Sequence, residues 1–430
     1  MNMARVAILG FGFSGLMVVA NLVRSATRPL EIYIISPDAS GLGIAYSTTH
    51  LGHLLNVPAG RMGAFADDVG GFHAWLQTQT THQHFTPADF VPRAIYGQYL
   101  QSIWRDTQEM AVQKKLMLKM VPATATHMAT GDELAVRTDR GDNIAVDEIV
   151  LATGHEMQPV LTHLPADKVI QNPWVPDAFA AAKNWASPVM LMGAGLTAID
   201  VLLSLRAAGY AGEVIMVSRH GLLPQVHASI SQPHAFDKDV WLAAPSLLKW
   251  MRMLRHAAAT HEWRAVVDSI RPHTAQLWQR LTTREQQRFM RRLMSFWNVH
   301  RHRMAPEIAA QVQAEMAAGT LRVVKNKQID AVIANDKLTP DHTVINCTGP
   351  KMNVAKSTKP LLKQALADGV IEQHATKAGI AVDPEYRAWG AAYPRLSVIG
   401  SLMTGQFLES AAVPELRVQA AVIAARMEAI

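Results

Sequence analysis

Three glycines near the start of the chain form a phosphate-binding pattern. Gly10, Gly12 and Gly15 stand as GxGxxG, directly after an apolar run and directly before a helical pattern. The first glycine suits a tight turn, the second lets backbone approach a pyrophosphate, and the third lets the helix pack on the strand. The diphosphate would lie on unpaired N–H groups at the positive end of the helix. Phe13 and Ser14, which lie within the motif, are therefore included among the predicted cofactor-binding residues.

A second turn of the same kind begins in the middle of the chain. In GAGLTAID, Gly193 and Gly195 keep the spacing and Ala198 replaces the third glycine. Leu196 and Thr197, which follow the second glycine, are predicted to contact the cofactor with it. Two such units in one chain predict two dinucleotide sites.

The strand after each motif ends in residues that could recognise a ribose. Ser36 stands where an acid ordinarily binds the ribose hydroxyls, and Asp38 follows as an alternative partner. The corresponding strand after the second motif ends in Ser218 and Arg219. A cation there can meet the extra phosphate of NADP, so NADPH is the predicted nicotinamide cofactor and NADH the alternative. The competing interpretation of Arg219 is a solvated arginine at a strand end.

The segment 41–65 is rich in glycine, lacks a sustained period and is predicted to be a loop. It is either an irregular crossing of the surface or a loop folded over a flat ring system. Long ordered loops beside a nucleotide turn often carry function, which favours the second interpretation. On that interpretation Asn56, Val57 and Met62 contact the cofactor.

Two further strands end in small residues. One runs into Thr153 and Gly154, and the other, near the end of the chain, runs into Gly400 and Ser401. Glycine lets backbone pass close to a diphosphate or a ribityl chain where a larger side chain would obstruct it. We therefore predict cofactor contacts at both strand ends.

Residues 249–303 form a basic segment, with twelve Lys and Arg against three Asp and Glu. No nucleic-acid motif accompanies it, so a solvated helical surface or a site for a phosphorylated cofactor is favoured over nucleic acid. His300 and His302 lie two residues apart, unlike the i, i+4 pair of a helical zinc site, and no metal is predicted. Arg301 and Arg303 form either an anion site or an exposed basic turn.

Length and cysteine usage limit the class of protein. The chain has 430 residues, 49% hydrophobic and 18% charged, which indicates two or three ordered domains. Cys347 is the single cysteine, which excludes an internal disulfide framework and a CxxC redox pair, and the cytoplasm is the expected compartment. We find no secretion signal and no apolar run long enough to span a bilayer.

The elements that position these residues alternate between strand and helix. The predicted class is α/β, with two Rossmann-like dinucleotide-binding domains and a helical insertion. The first domain is predicted to comprise residues 1–186 and 340–430 and the second residues 187–339, with the basic helical insertion at about 222–313. Short alternating runs over 119–146 predict antiparallel strands. The strand within 343–350 is assigned to the first domain.

The order of these motifs resembles the bacterial FAD-NAD(P)-binding oxidoreductase family. The resemblance covers almost the whole length through the segments GFGFSG, GIAYS, LLNVPAGRM, PRAIYGQYL, LATGH, GAGLTAID, SRHGLLP, FWNVHRHRMAP, NCTGP and VIGSLMTGQFLESAAVPELRVQA. The chain is more distantly similar to two-dinucleotide-domain flavoproteins, including flavin-containing and N-hydroxylating monooxygenases. It departs from them at Ser36 and Ser401, which stand where those proteins carry glutamate and aspartate.

The resemblance implies FAD at the first glycine turn, the Asn56 loop, Thr153, Gly154 and Gly400, and a nicotinamide cofactor at Gly193, Gly195 and Arg219. It implies an oxidoreductase in which NADPH passes hydride to FAD, and a flavin monooxygenase acting on a small molecule is favoured. One alternative is NAD(P)H-dependent reduction of a diffusible acceptor. Another is a dinucleotide-binding sensor or scaffold without turnover. No side chain is assigned a catalytic role, because the cofactor does the chemistry.

Overall fold

Two parallel sheets carry the two glycine turns in the computed structural model of the protein. The structure describes residues 3–131, 133–160, 162, 168–230, 232–243, 245–325 and 342–428. Within these residues each parallel sheet has five strands, and a third sheet has three. The predicted α/β class is confirmed.

The first sheet is built around the N-terminal strand. Its spatial order is β13–β7–β1–β2–β3, and all its pairings are parallel. The strands of this sheet are β1 (Ala4–Leu9), β2 (Leu30–Ile35), β3 (Met117–Val121), β7 (Glu148–Leu151) and β13 (Leu396–Val398). The antiparallel sheet consists of β4 (Ala125–Ala129), β5 (Leu134–Thr138) and β6 (Asn143–Val146).

The second parallel sheet has the order β11–β10–β9–β12–β8. Its strands are β8 (Val169–Ile170), β9 (Val189–Met192), β10 (Val214–Ser218), β11 (Leu321–Lys325) and β12 (Val344–Asn346). In both sheets the strand that carries the glycine turn lies inside the sheet, and a helix begins directly after the turn.

The helices of the described residues surround the sheets and form the insertion. They are α1 (Phe13–Ser25), α2 (Gly43–Tyr46), α3 (Gly71–Thr78), α4 (Arg93–Gln113), α5 (Leu196–Ala207), α6 (Lys238–Ala243), α7 (Leu247–Thr260), α8 (Trp263–Ile270), α9 (Thr274–Arg280), α10 (Thr283–Arg292), α11 (Met294–Arg301), α12 (Pro306–Ala317), α13 (Pro360–Ala367), α14 (Thr404–Phe407) and α15 (Val413–Glu428). Short 3-10 turns occur at Ala59–Arg61, Ala182–Asn184, Arg271–His273, Val354–Lys356 and Ser401–Met403. No helix within the described residues is long and apolar enough to cross a bilayer.

The first glycine turn is held in place by an almost completely apolar helix. Most of α1 is buried because it packs against α15 and α4 as well as against the sheet. The side chains of β1 from Val6 to Leu9 are buried on both faces, as expected for a central parallel strand. The start of α1 is therefore fixed in position relative to the ends of the strands.

Three segments differ from the sequence prediction. The antiparallel prediction for 119–146 is wrong for β3, which pairs in parallel with β2 at the edge of the first sheet. The predicted boundaries assign β8 and β12 to the first domain, but in the structure β12 pairs with β9 of the second sheet and β8 pairs with β12. A short apolar strand fits either sheet, so its sequence did not reveal its partner. The predicted boundary at 339/340 lies outside the described residues.

Candidate functional site

One large cleft brings together residues that follow both glycine turns. Its volume is about 900 Å³. The predicted cofactor residues that line it are Asn56, Val57, Met62, Leu196, Arg219 and Ser401. The first three and the last come from the side of the first sheet, whereas Leu196 and Arg219 follow strands of the second sheet. The cleft therefore lies between the two predicted nucleotide sites.

The first glycine turn, at Gly10, Gly12 and Gly15, is called the first glycine corner below. It has no space for a side chain at Gly10 or Gly15. Gly10 has φ +99°, and a Cβ there would lie 2.6 Å from the carbonyl oxygen of Ala152. A Cβ at Gly15 would collide with the carbonyl oxygen of Gly10. Gly12 is the N-cap of α1 and supplies no side-chain cap, so the first-turn N–H groups of the helix lack that partner. This is the arrangement that binds phosphate at a helix N-terminus.

The last strand of the first sheet ends beside the same helix. Gly400 has φ +88°, and a Cβ there would lie 3.6 Å from Ser14 Oγ. The Gly400 N–H donates to Gln419 Oε1 on α15 at 3.0 Å, which fixes the turn. Ser401 follows and lines the cleft, so the two predicted contacts near the C-terminus lie next to the first glycine corner. Phe13 differs, since its side chain is buried and packs against the ring of Tyr46.

A buried hydroxyl group beside Gly10 lacks a partner. Thr153 Oγ1 is buried and makes no hydrogen bond within the described residues. A Cβ at Gly10 would lie 3.0 Å from the Cα of Thr153, so Thr153 lies next to the first glycine corner. Gly154 follows in a left-handed conformation, with φ +64°, and is exposed. Because buried polar groups are almost always hydrogen-bonded, the orphaned hydroxyl fits a ligand at this corner.

The end of β2 forms a local turn through its polar side chains. Ser36 is buried, and its Oγ accepts a hydrogen bond from the Asp38 N–H at 3.2 Å. The Asp38 carboxylate accepts from the N–H and the hydroxyl of Ser40, both at 2.8 Å. The Ser36 hydroxyl hydrogen remains available to a ribose, whereas the Asp38 carboxylate is already engaged in the turn.

The Asn56 loop is held by side chains from three distant elements. The Asn56 carbonyl accepts from His227 Nε2 at 3.0 Å, and the Met62 carbonyl accepts from the Tyr96 hydroxyl at 3.0 Å. Arg417 of α15 donates to the Gly63 carbonyl at 3.0 Å. Burial and nearby Arg303 lower the pKa of His227 to about 4, so the ring is neutral at pH 7 and carries its hydrogen on Nε2. The segment is an anchored wall of the cleft rather than a free surface crossing.

The second glycine corner repeats the design of the first. Gly193 has φ +133°, and a Cβ there would collide with the carbonyl oxygen of Cys347. Gly195 is the N-cap of α5, without a side-chain cap, and open space lies where its Cβ would be. Leu196 and Thr197 form the first turn of α5, and Leu196 lines the cleft. Cys347 is buried, and burial raises the pKa of its thiol, as expected for a core cysteine.

Arg219 is an uncommitted cation in the wall of the cleft. It is exposed, and it forms no hydrogen bond or ion pair with any other residue that the structure describes. Ser218 before it accepts a hydrogen bond from the Gly221 N–H at 3.1 Å, which shapes the turn after β10. The arrangement leaves the guanidinium of Arg219 free to meet an anion.

The basic pair Arg301 and Arg303 is neither an open anion site nor an exposed turn. Arg301 is buried and donates to Glu409 Oε2 at 3.1 Å, while Trp297 Nε1 donates to Glu409 Oε1 at 2.9 Å. Arg303 is buried and paired with Asp268. Among the described residues no group of His, Cys, Asp and Glu could hold a metal ion, His300 and His302 included.

Three cleft residues were not singled out from the sequence as site residues, and Arg301, a candidate for an anion site, joins them. Tyr46, Arg93, Arg301 and Ser410 all line the cleft. Arg93 forms an ion pair with Asp200 of α5 at 2.8 Å, which links α4 to the helix of the second glycine turn. Ser410 Oγ is buried and makes no hydrogen bond within the described residues. All four lie in segments that carry the family resemblance, but their meeting in one cleft depends on the packing of distant segments.

Comparison with known proteins agrees with this geometry. Residues 7–156 match the model of a family described as FAD-NAD(P)-binding, which confirms the predicted resemblance and the cofactor class for this part of the chain. No curated protein matches the sequence.

Solved structures share the fold over the whole chain. Ornithine hydroxylase of Pseudomonas aeruginosa is 12% identical, with a TM-score of 0.61, over 100% of this chain and 99% of that one. Ornithine N-hydroxylase of Kutzneria sp. 744, solved with reduced FAD, NADP⁺ and L-ornithine, is 14% identical, with a TM-score of 0.58, over 100% and 99%. Bacillithiol disulfide reductase of Staphylococcus aureus is 11% identical, with a TM-score of 0.53, over 100% and 99%. At these identities the comparison establishes the two-dinucleotide-domain flavoprotein fold alone.

Proposed function

We propose that this protein is an FAD-dependent oxidoreductase that takes hydride from NADPH and acts as a monooxygenase on a small molecule. The observation that carries the proposal is the single cleft. Ser401 and Asn56 enter it from the side of the first glycine turn, and Leu196 and Arg219 enter it from the side of the second. Two dinucleotides bound at the two turns would therefore meet in one space.

The residues around the first corner fit FAD. We propose that the N–H groups at the start of α1 bind its diphosphate and that the Thr153 hydroxyl, which lacks another partner, donates a hydrogen bond to it. Ser36 takes the ribose, and the anchored loop with Asn56 and Met62 covers the ring system. When bound, FAD supplies the redox chemistry, and the chain supplies binding, orientation and exclusion of water.

The residues around the second corner fit NADPH. We propose that the start of α5 binds the nicotinamide cofactor's diphosphate and that Arg219 binds the extra phosphate. Arg219 has no competing carboxylate partner among the described residues, which supports this role. The division into a discontinuous FAD domain and an NADPH domain, and a cytoplasmic location, remain predictions from the sequence.

The sequence excludes a dithiol relay to a disulfide and leaves oxygen and a diffusible molecule as the two candidate electron acceptors. Cys347 is the single cysteine and is buried, so the chain has no dithiol that could carry electrons to a disulfide. The full-length similarity to two ornithine hydroxylases favours a monooxygenase. Reduction of a diffusible acceptor is the second candidate, and the similarity to bacillithiol disulfide reductase supports it.

The proposal is tested by measuring NADPH oxidation in air with purified protein, with and without added FAD. A monooxygenase lacking its substrate is expected to consume NADPH slowly and release peroxide. Consumption only with an added electron acceptor would identify the reductase instead. No consumption under any of these conditions would contradict both functions and leave a dinucleotide-binding scaffold.

A further inference from the structure

An apolar pocket lies inside the helical insertion. Its volume is about 80 Å³, and it lies between helices α7, α8, α9 and α10. Trp250, Leu254, Leu277, Trp278 and Phe289 form most of its wall. The aromatic rings support one another, since the ring centroids of Trp278 and Phe289 are 5.5 Å apart. The pocket therefore has a rigid aromatic wall.

Three of the four tryptophans that line the pocket have their indole N–H groups engaged in hydrogen bonds. The indole N–H of Trp250 donates to the Trp241 carbonyl at 2.9 Å, and that of Trp278 donates to the Gly405 carbonyl at 2.8 Å. The indole N–H of Trp297 donates to Glu409 at 2.9 Å. The hydroxyl of Thr274, which also lines the pocket, is directed to the Ile270 carbonyl. A polar ligand group would lose its water without gaining a partner, so the pocket selects an apolar one.

The pocket adjoins the cleft of the two nucleotide sites. Trp297 and Leu408 line both spaces, so they form the wall between them. On the cleft side of this wall lie the Arg301–Glu409 ion pair and the unpartnered hydroxyl of Ser410. A molecule that entered the pocket past Trp297 and Leu408 would have its apolar end in the pocket and polar groups in the cleft.

The backbone at this wall is strained. Leu408 has φ +59° and ψ −59°, and the Glu409 N–H donates to the Phe407 carbonyl at 2.7 Å across it. This is a γ-turn of the rare, strained kind. Strained backbone of this kind clusters at ligand sites, and here it places the Leu408 side chain between the pocket and the cleft.

We infer that this pocket binds the apolar end of the substrate. Its volume corresponds to about three water-sized groups, the size of a short branched alkyl chain. The substrate class is thus a small molecule with an alkyl end of this kind and a polar group that stays in the cleft. The inference rests on the proposed function in one respect, namely that the cleft is where the substrate reacts.

The test uses the purified FAD-loaded protein and two neutral probes of equal chain length. The first probe is 3-methyl-1-butanol, which has an apolar branched end, and the second is 1,4-butanediol, which has a polar end. Binding is measured by calorimetry and by tryptophan fluorescence. Because only the first probe can fill the pocket without burying an unpaired hydroxyl, we expect it to bind at least tenfold more tightly.

A pair of variants on α7 locates the binding site. Leu254 is partly buried and lines the pocket, whereas Leu248 on the same helix is 60% exposed. Leu254→Trp fills the pocket and should weaken binding of 3-methyl-1-butanol at least tenfold. Leu248→Trp adds the same side chain outside the pocket and should change the affinity less than twofold. Equal binding of the two probes, no binding of the alcohol, or equal effects of the two variants would overturn the inference.

A second substitution covers the case in which Leu254→Trp does not fold. Leu254→Ala enlarges the pocket and should raise the affinity for 4-methyl-1-pentanol relative to 3-methyl-1-butanol, and an unchanged ratio would overturn the inference. FAD content and NADPH oxidation are recorded on the same preparations. Alcohol binding without FAD or NADPH turnover would contradict the proposed function alone, whereas turnover without alcohol binding would contradict the pocket alone.

Discussion

At the scale of single residues, the account depends on side chains that have no partner inside the chain. Arg219 and the hydroxyl of Thr153 are both without a hydrogen-bond partner among the described residues, and each lies at one of the two corners. A cation lining a cleft and a buried hydroxyl group beside a glycine turn are explained together by two nucleotide ligands. Each can be removed separately, because the two residues follow strands of different sheets.

Replacing Arg219 with Ala should weaken NADPH binding by about 10- to 100-fold, which is the range of a charged hydrogen bond. Because NADH lacks the extra phosphate, the same substitution should weaken NADH binding less than about twofold. Steady-state KM values for both cofactors measure the difference. Arg252→Ala, an exposed arginine on α7, is the matched control and should change neither value. Equal losses for NADPH and NADH with Arg219→Ala would contradict the phosphate contact.

Replacing Thr153 with Val should have opposite effects on two measurements. Removing a buried hydroxyl group without a partner should leave the urea midpoint of the FAD-free protein unchanged or higher. If the hydroxyl binds FAD, the affinity for FAD should fall about 2- to 10-fold, the loss expected for one neutral hydrogen bond. Thr153→Ser keeps the hydroxyl and should retain FAD binding. A Val variant with unchanged FAD affinity would show that the hydroxyl does not contact the cofactor.

The glycines of the site could be predicted from the sequence, whereas several side chains that line the cleft could not. Glycines were recognisable because their backbone requirements are local: Gly10 and Gly193 have positive φ and no space for a Cβ. Ser410 and Tyr46 were not assigned to the site because their place in the cleft depends on the packing of segments far apart in sequence.

At the scale of elements, ion pairs of two of its arginines join the basic segment to other parts of the chain. Arg301 of α11 is paired with Glu409, and Arg271 is paired with Glu415 at 3.2 Å. These pairs join the insertion to the segment that leads into α15. The sequence indicated an amphipathic basic region, but charge alone does not reveal that two of its arginines are paired with partly buried glutamates elsewhere in the chain.

The free energy of unfolding should depend on pH through His302, the residue directly after α11. Burial, with Arg301 and Arg271 nearby, lowers the pKa of His302 to about 3, so the folded protein holds this ring neutral. The unfolded chain takes up the proton at about pH 6.5, so stability is lost as the pH falls from about 6.5 towards 3. His302→Gln should reduce the loss between pH 7 and pH 5 by about 2 kcal/mol, measured by urea unfolding.

The exposed His256 of α7 provides a control for this effect, and His256→Gln should leave the pH dependence of the urea midpoint as in the wild type. The same dependence in His302→Gln and in the wild type would mean that His302 is accessible to protons in the folded state.

The Rossmann-like units of the two parallel sheets could be predicted from the sequence, but the places of two short strands could not. The Rossmann-like units were predictable because an apolar strand, a glycine turn and an apolar helix follow one another directly. Strand β12 was assigned to the first domain because a three-residue apolar strand does not reveal its partner, and β8, with two residues, was not predicted as a strand. Hydrogen bonding places β12 beside β9 and β8 beside β12.

At the scale of the whole molecule, contacts between distant elements hold the two corners around one cleft. Arg93 pairs with Asp200, and His53 Nε2 lies 3.0 Å from Ser204 Oγ, which fixes the first-sheet loops against α5. His227, which lies between β10 and α6, donates to the Asn56 carbonyl of the first-sheet loop. The central claim is that this shared space lets electrons pass from NADPH to FAD.

Anaerobic mixing of the FAD-loaded protein with NADPH tests that claim most directly, with the flavin absorbance band followed in a stopped-flow instrument. The account predicts that NADPH bleaches the band without oxygen or substrate, and that Arg219→Ala slows the bleaching at low NADPH. A protein that retains no FAD, or bound FAD that stays oxidised with both NADPH and NADH, would contradict it.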